Sequence, residues 1–295
     1  MRALLLYRLD LADEAAEGGI HAVDPREPII RATDLGVTRG DGVFETAVVR
    51  GGRPQALEAH LTRLERSAQL LALPTPHREL WAEAVRRAAA EVSRPGVLRD
   101  GEIASIKFAM TRGDEIDSSG PTGWVLGFAG EDPDAVRDRG VSAVVLDRGY
   151  RHDVMQTAPW LLQGAKSLAY AVNQAALREA RRRGADDVIF VSADGFVLEG
   201  PRSTLIARLD GTLVTPPPEQ GVLPGTTQAD VFAGLADVPS RVGTMWRDDL
   251  DRADALWLCS STRGAVPVRE LDGVVRGVDR ELTARMNAVL DGRED

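Results

Sequence analysis

The sequence predicts a mixed α+β protein built as two domains, and three observations carry that expectation. At 295 residues the chain sits at the upper edge of what one hydrophobic core supports. Hairpin-like strand pairs interleave with single helices instead of alternating as regular βαβ units. A polar, aperiodic stretch with a proline, Gly130-Glu131-Asp132-Pro133-Asp134, interrupts the pattern near the middle. The expected division is a smaller α/β domain over 1–129, a linker over 130–136 and a larger domain over 137–295.

In chain order, Asp34–Thr46 reads as a glycine-punctuated turn entering a strand. It lacks the strand-first GxGxxG order of a dinucleotide site. Leu57, Leu61, Leu64, Ala68 and Leu71 recur at three- and four-residue steps, which predicts a helix over 57–73. Leu80, Trp81, Ala84, Val85, Ala88 and Val92 predict the next one. Ala104–Thr111 and Gly123–Ala129 read as strands with a Gly120-Pro121 turn between them. Past the linker come a strand at Val141–Leu146 and a helix over Ser167–Arg183. Two hairpins follow, one around Asp194-Gly195 and one around Asp210-Gly211. A helix from about Thr227, a strand at Ala255–Ser260 and a helix from about Asp279 complete the pattern.

The net charge of −9 argues against a nucleic-acid backbone or an anionic membrane as the main partner. A single cysteine, Cys259, excludes an intrachain disulfide and a zinc cluster built on cysteines. It lies in an apolar run and reads as an inert buried thiol. The four histidines show no spacing of a metal site or triad. The opening residues meet a charge too early for a signal peptide, and no stretch reaches the ~18 apolar residues of a membrane span. The expectation is a cytoplasmic protein.

Of 36 basic residues only Lys107 and Lys166 are lysines. Arginine stays protonated, whereas a lysine amine can lose its proton and attack a carbonyl. Lys166 has small and apolar neighbours in Gly164-Ala165-Lys166-Ser167-Leu168. A helix starting just after it would favour the neutral amine; a solvated lysine at a helix start is the alternative. Glu199 ends the apolar Val197-Leu198, either as a solvated strand end or as partner to a cationic group. Gly225-Thr226-Thr227 opens a helix whose N–H groups and hydroxyls suit a small phosphate. Ser260-Ser261-Thr262 could add donors to the same anion. Arg63 falls between inward-facing Leu61 and Leu64, so it either reaches an anion or snorkels to the surface.

Taken in order, these pieces resemble the class IV, or fold-type IV, pyridoxal-phosphate aminotransferase and lyase family. The motifs are RGDGVFET (39–46), HLTRLERS (60–67), GAKSLAYAVN (164–173), VLEGPRST (197–204), and LVTPP with GVLPGTT (213–227). The resemblance implies the two-domain fold of that family and a homodimer with its site at the domain cleft. It implies pyridoxal 5'-phosphate as cofactor, Lys166 as the Schiff-base lysine and proton shuttle, and Glu199 on the pyridine nitrogen. It assigns the phosphate to Arg63, Thr226, Thr227 and Thr262, the ring face to Leu223, and the ring hydroxyl to Tyr170. Two departures stand out: Gln228 where an arginine is usual, and Pro201-Arg202 after the Glu-Gly step.

Within the family the substrate pocket decides the reaction. D-amino-acid aminotransferases usually have a tyrosine where Phe44 stands and an Arg-x-His pair after the Thr-Arg-Gly turn; here Asp114-Glu115-Ile116 follows. Branched-chain enzymes usually have a glycine, then an arginine, where Thr46 and Val48 stand. The chain is most similar to the actinobacterial 4-amino-4-deoxychorismate lyases, which release pyruvate and 4-aminobenzoate, a folate precursor. Phe44, Thr46, Lys107 and Arg112 are the expected substrate contacts. A D-amino-acid or branched-chain aminotransferase, or an enzyme with both activities, is the alternative. A cofactor-binding protein without turnover is disfavoured by the presence of both Lys166 and Glu199.

Overall fold

A computed structural model describes residues 1–11, 19–117 and 120–293. The described chain forms two compact units, Met1–Asp132 with Ala165–Tyr170, and Pro133–Gly164 with Ala171–Gly292. Both combine sheet and helix, so the fold is the expected mixed α+β type.

The first unit starts with β1 (Arg2–Leu9) and β2 (Ile20–Val23), then a helical turn α1 (Leu35–Thr38), β3 (Gly42–Arg50) and β4 (Arg53–Pro54). Helices α2 (Leu57–Leu70) and α3 (Arg78–Val92) precede β5 (Glu102–Thr111) and β6 (Thr122–Glu131). The strands form one antiparallel sheet in the order β2-β1-β6-β5-β3-β4. Successive strand residues point to opposite faces, and this alternation sorts the sequence. Val43, Ile106, Phe108 and Val125 face the core, where Leu57, Leu61 and Leu64 of α2 and Trp81, Val85 and Ala88 of α3 meet them. Phe44, Thr46, Lys107 and Trp124 are on the opposite, half-buried face. The predicted helical periodicities hold in both helices; α3 is capped by His77, whose Nδ1 accepts from Leu80 N.

The second unit contains α4 (Asp134–Arg139), β7 (Val141–Asp147), α5 (Val154–Thr157), α6 (Ala171–Arg182), β8 (Asp187–Val191), β9 (Thr204–Leu209) and β10 (Thr212–Thr215). It continues with α7 (Thr226–Gly234), β11 (Ser240–Val242), α8 (Arg247–Arg252), β12 (Ala255–Ser260), β13 (Gly264–Leu271), β14 (Val274–Val275) and α9 (Arg280–Asp291). Its mixed sheet runs β11-β10-β9-β12-β13-β7-β8, with β14 on β13. Trp257, Ile206 and Leu213 pack under α7 and α9 with Val231, Met286 and Leu290. Asp279 caps α9 through Leu282 N, as its position before an apolar periodic run suggests.

In the stretch expected as a linker over 130–136, β6 runs on to Glu131 and Pro133 and Asp134 enter α4, and the division between the two units falls at Asp132 and Pro133. One expectation changes. The helix expected from Ser167 begins only at Ala171. Residues 165–170 instead run extended beside β3: Phe44 N donates to the Lys166 carbonyl (3.0 Å) and Leu168 N to the Gly42 carbonyl (2.8 Å). A backbone donor and a backbone acceptor on β3 take up this stretch in place of helical bonds. Lys166 therefore does not sit at a helix start.

Candidate active site

Lys166 is fixed in the first unit by its own backbone. Its N–H donates to Ser67 Oγ of α2 (3.1 Å), and its carbonyl is taken by Phe44. The side-chain nitrogen lies 4.6 Å from the centre of the Phe44 ring. That ring meets Tyr170 edge-on, with centroids 5.7 Å apart. Gly42 makes the close pairing feasible, since a Cβ there would come within 2.7 Å of the Met110 carbonyl and 2.8 Å of Leu168. This is the physical content of the RGDGVFET turn.

Beneath that strand lies a group the sequence reading passed over. Glu45, on the core face of β3, is fully buried. It accepts from Arg63 Nε (2.6 Å) and Nη2 (2.8 Å), and His60 Nδ1 is 2.7 Å away. Burial opposes its ionisation, but the charge and hydrogen bonds of Arg63, and then of His60, hold the carboxyl well below the ordinary range. Burial lowers His60 in turn, with Glu45 opposing it. Of the two readings of Arg63 the inward one holds, and a carboxylate clamps two of its nitrogens. The spacing from His60 to Arg63 on α2 could have signalled a shared partner; strand alternation alone did not name Glu45.

On the open face, Lys107 pairs with Thr46 in the register of β3 and β5. Its amine sits 4.7 Å from the Phe44 ring centre and 6.0 Å from that of Trp124. Burial lowers its pKa, and the buried Trp124 Nε1 has no protein partner. Phe44, Thr46 and Lys107 therefore come together on one surface. Arg112, the fourth expected substrate contact, is hydrogen-bonded to other groups. Its Nε and Nη2 bind the Asp41 carboxylate (2.6 and 3.2 Å), while Nη1 and Nη2 bind the carbonyls of Ala72 and Leu71. It closes the C-terminal end of α2, where such carbonyls are left over.

In the second unit, Glu199 Oε1 accepts from Leu223 N (3.1 Å), which ties two of the motifs to each other. Glu199 lines a small cleft with Arg148, Tyr150, Phe190 and Gly221. Arg148 stacks 4.6 Å over Phe190 and donates to the Tyr150 hydroxyl (3.0 Å), which donates to Gln163. Burial raises Tyr150 above the ordinary phenol value. Neither Arg148 nor Tyr150 was singled out from the sequence, where one arginine among 34 carries no signal.

The start of α7 is shaped for an anion. Gly225 is its N-cap and provides no side-chain cap. Thr226 and Thr227 are buried, and Thr226 Oγ1 has no protein partner. A Cβ at Gly225 would fall 2.2 Å from Thr204 Oγ1, so only glycine lets this turn rest on β9. Thr262 lies half-buried after β12, two residues beyond Ser260, whose buried hydroxyl is likewise without a protein partner. The turn is braced by Arg263, which donates to buried Asp187 (2.8 Å), and by Arg137, which donates to the Arg263 carbonyl (2.9 Å). Unused hydroxyls and helix-end N–H groups fit a phosphate dianion. Cys259 is buried nearby in sequence, its thiol pushed up to about 12 by burial, which makes it inert. Among the described residues no cluster has the composition of a metal site, and no helix is long and apolar enough to cross a membrane.

The architecture and these motifs define a pyridoxal-phosphate enzyme of the aminotransferase type. Residues 42–271 match the family amino-transferase class IV, and the chain belongs to that family. A bifunctional aminodeoxychorismate lyase / D-amino acid transaminase of Mycobacterium tuberculosis is 42% identical over 263 residues, 85% of this chain and 89% of that protein. A fold IV-transaminase from Curtobacterium pusillum, CpuTA1, superposes with a TM-score of 0.91 at 50% identity, covering 99% of this chain and 100% of that one. A hypothetical aminotransferase from M. tuberculosis in its pyridoxal-phosphate-bound form gives 0.87 at 38% identity, covering 97% and 98%. The cofactor of this enzyme is pyridoxal 5'-phosphate.

Proposed function

We propose that the enzyme eliminates pyruvate from 4-amino-4-deoxychorismate to leave 4-aminobenzoate, with D-amino-acid transamination as a second activity of the same residues. The observation that carries the reading is the 42% identity, over most of both chains, to a bifunctional lyase and transaminase. The local chemistry supports the order of the two activities. The Thr111-Arg112-Gly113 turn is followed by no Arg-x-His pair, and Arg112 is spent on Asp41 and α2. A small amino acid's carboxylate therefore lacks the usual trap.

When bound, the cofactor supplies an aldehyde that captures an amine and a ring that accepts electrons released at the substrate carbon. Lys166 is the amine that holds it, and later the base that takes the proton from the carbon bearing the substrate's amino group. The same amine would hand that proton to the departing enolpyruvyl group, which leaves as pyruvate; aromatisation of the remaining ring makes the step downhill. Glu199, one oxygen of which accepts from Leu223 N, would keep the pyridine nitrogen protonated, and Leu223 would face the ring. Thr226, Thr227, Thr262 and Arg63 would hold the phosphate, and Tyr170 would serve the ring hydroxyl. Phe44, Thr46 and Lys107 face the substrate. A homodimer in the cytoplasm, serving folate synthesis, completes the reading, and sedimentation measures the first part.

The test is a paired assay on one cofactor-loaded preparation. One reaction receives 4-amino-4-deoxychorismate and is read for 4-aminobenzoate and pyruvate; the other receives D-alanine and 2-oxoglutarate and is read for pyruvate and glutamate. Faster turnover in the first is expected. Turnover confined to the second would overturn the lyase reading.

A further inference from the structure

Strand register sets four side chains in one row across the open face of the first sheet. Phe44 on β3 pairs with Ala109 on β5, Ala109 with Trp124 on β6, and Trp124 with Arg8 on β1. Residues directly opposite each other share a face, and the alternate positions Val43, Val125 and Tyr7 lie in the core. Ala109 is the small member of the row, so Phe44 and Trp124 stand as two walls above a low floor. Lys107, two residues along β5 on the same face, brings its amine to this gap, 4.7 Å from the Phe44 ring centre and 6.0 Å from that of Trp124. Three donors here have no acceptor. Trp124 Nε1 is buried without a protein partner. Among the described residues Lys107 and Arg8 make no hydrogen bond or ion pair. Burial lowers the Lys107 pKa with no carboxylate to offset it, and a buried donor left unpaired is costly.

We propose that this face is a two-carboxylate subsite: Lys107 and the Trp124 indole N–H take one carboxylate, and Arg8, on the far side of Trp124, takes the other. The inference rests on the lyase reading and names what its substrate adds. Elimination divides that substrate into pyruvate and 4-aminobenzoate, and each product keeps a carboxylate, so the intact molecule carries two. An amino acid such as D-alanine carries one. Arg8 and Trp124 are therefore specificity residues, which favour a dicarboxylate over a substrate with a single carboxylate. The spacing suits such a ligand. Lys107 and Arg8 are two strands and two residues apart in the register, which puts their Cα atoms about 12 Å from each other. Two long basic side chains can close that span around a six-membered ring, and the Ala109 floor leaves the ring room between the aromatic walls. The two cations also suit their places. Exposed Arg8 keeps its charge in water and can grip a carboxylate with two parallel N–H bonds. Lys107 and the indole N–H meet the inner carboxylate where water is scarce, and there each hydrogen bond to a charge counts for more.

The experiment is isothermal titration calorimetry on the cofactor-loaded enzyme with two probes, 3-(carboxymethoxy)benzoate, which has two carboxylates, and 3-methoxybenzoate, which has one. Wild type should bind the dicarboxylate about fivefold more tightly, the upper end for one solvent-exposed ion pair. In R8Q that ratio should fall to about one. W124F should weaken both probes by about tenfold and keep the ratio, since it removes one hydrogen bond to the carboxylate they share. W124L repeats the measurement if W124F does not fold. Equal binding of the two probes by wild type overturns the proposal, as does a ratio that survives in R8Q. Undiminished binding of both probes by a folded W124F or W124L overturns the inner seat. The paired assay keeps the two readings apart. No turnover of 4-amino-4-deoxychorismate beside an intact probe ratio would remove the lyase and leave the subsite standing, and full turnover beside a missing ratio would do the reverse.

Discussion

Replacing Glu45 with glutamine tests what holds the first unit together around Lys166. Glu45 is fully buried, bound twice by Arg63 and once by His60 at 2.6–2.8 Å. The E45Q side chain has nearly the same shape, so packing is preserved and the change is electrical. A buried guanidinium is left facing an amide, and the cost of breaking such a pair from one side is about 3–5 kcal/mol. That is several times what a solvent-exposed pair contributes, and D24N, which removes the exposed partner of Arg26, is the control expected to change nothing measurable. Urea denaturation at neutral pH, read by tryptophan fluorescence, measures the difference. Trp81 is in the core of this unit and reports on it directly.

The pH dependence gives a second check on the same residue. Glu45 is held below its ordinary value in the fold, so the unfolded chain binds this proton first as the pH falls. The stability it contributes is present above the ordinary carboxylate value of about 4.3 and is lost as the pH falls towards the lowered one. E45Q lacks that contribution at every pH, so the gap between variant and wild type should narrow below about pH 4. A neutral-pH loss under about 1 kcal/mol, below the range for broken buried pairs, or a gap that widens in acid, would refute the account of the Glu45 cluster.

The other predictions concern single groups. T226V replaces a buried hydroxyl that has no protein partner with a methyl; stability should hold or rise, while cofactor affinity falls about tenfold, the loss expected for one charge-assisted hydrogen bond. Unchanged affinity in a cofactor titration would take Thr226 out of the phosphate site. R112Q should lower the unfolding temperature, because it frees the Leu71 and Ala72 carbonyls and the Asp41 carboxylate. A raised KM with no thermal change would make Arg112 a substrate contact instead. K166A should remove the visible absorption of the loaded enzyme and reduce turnover by several orders of magnitude, as losing a covalent catalyst does; near-wild-type turnover would reassign the reacting amine.

How far the sequence foretold this arrangement depends on which physical signal each element emits. The α2 and α3 periodicities, the β5 and β6 strands and the Asp210-Gly211 hairpin rest on local patterns, and all appear where those patterns put them. The segment around Lys166 misled because its local pattern is helical, whereas its structure is set by backbone groups on β3, more than a hundred residues earlier. No local propensity encodes such a pairing. The polar cluster shows the same limit. The periodicity of α2 left Arg63 open between an inward and a surface position, and its partner Glu45 looks like any strand carboxylate until the sheet face is known. Composition cut both ways. Where nearly every cation is arginine, a lysine is conspicuous, and both lysines proved to touch one ring. The same bias hid Arg148 beside Glu199. The residues easiest to find were those whose chemistry arginine cannot imitate. Those missed carry out positioning, which any well-placed cation or carboxylate can perform and which only the assembled sheet reveals.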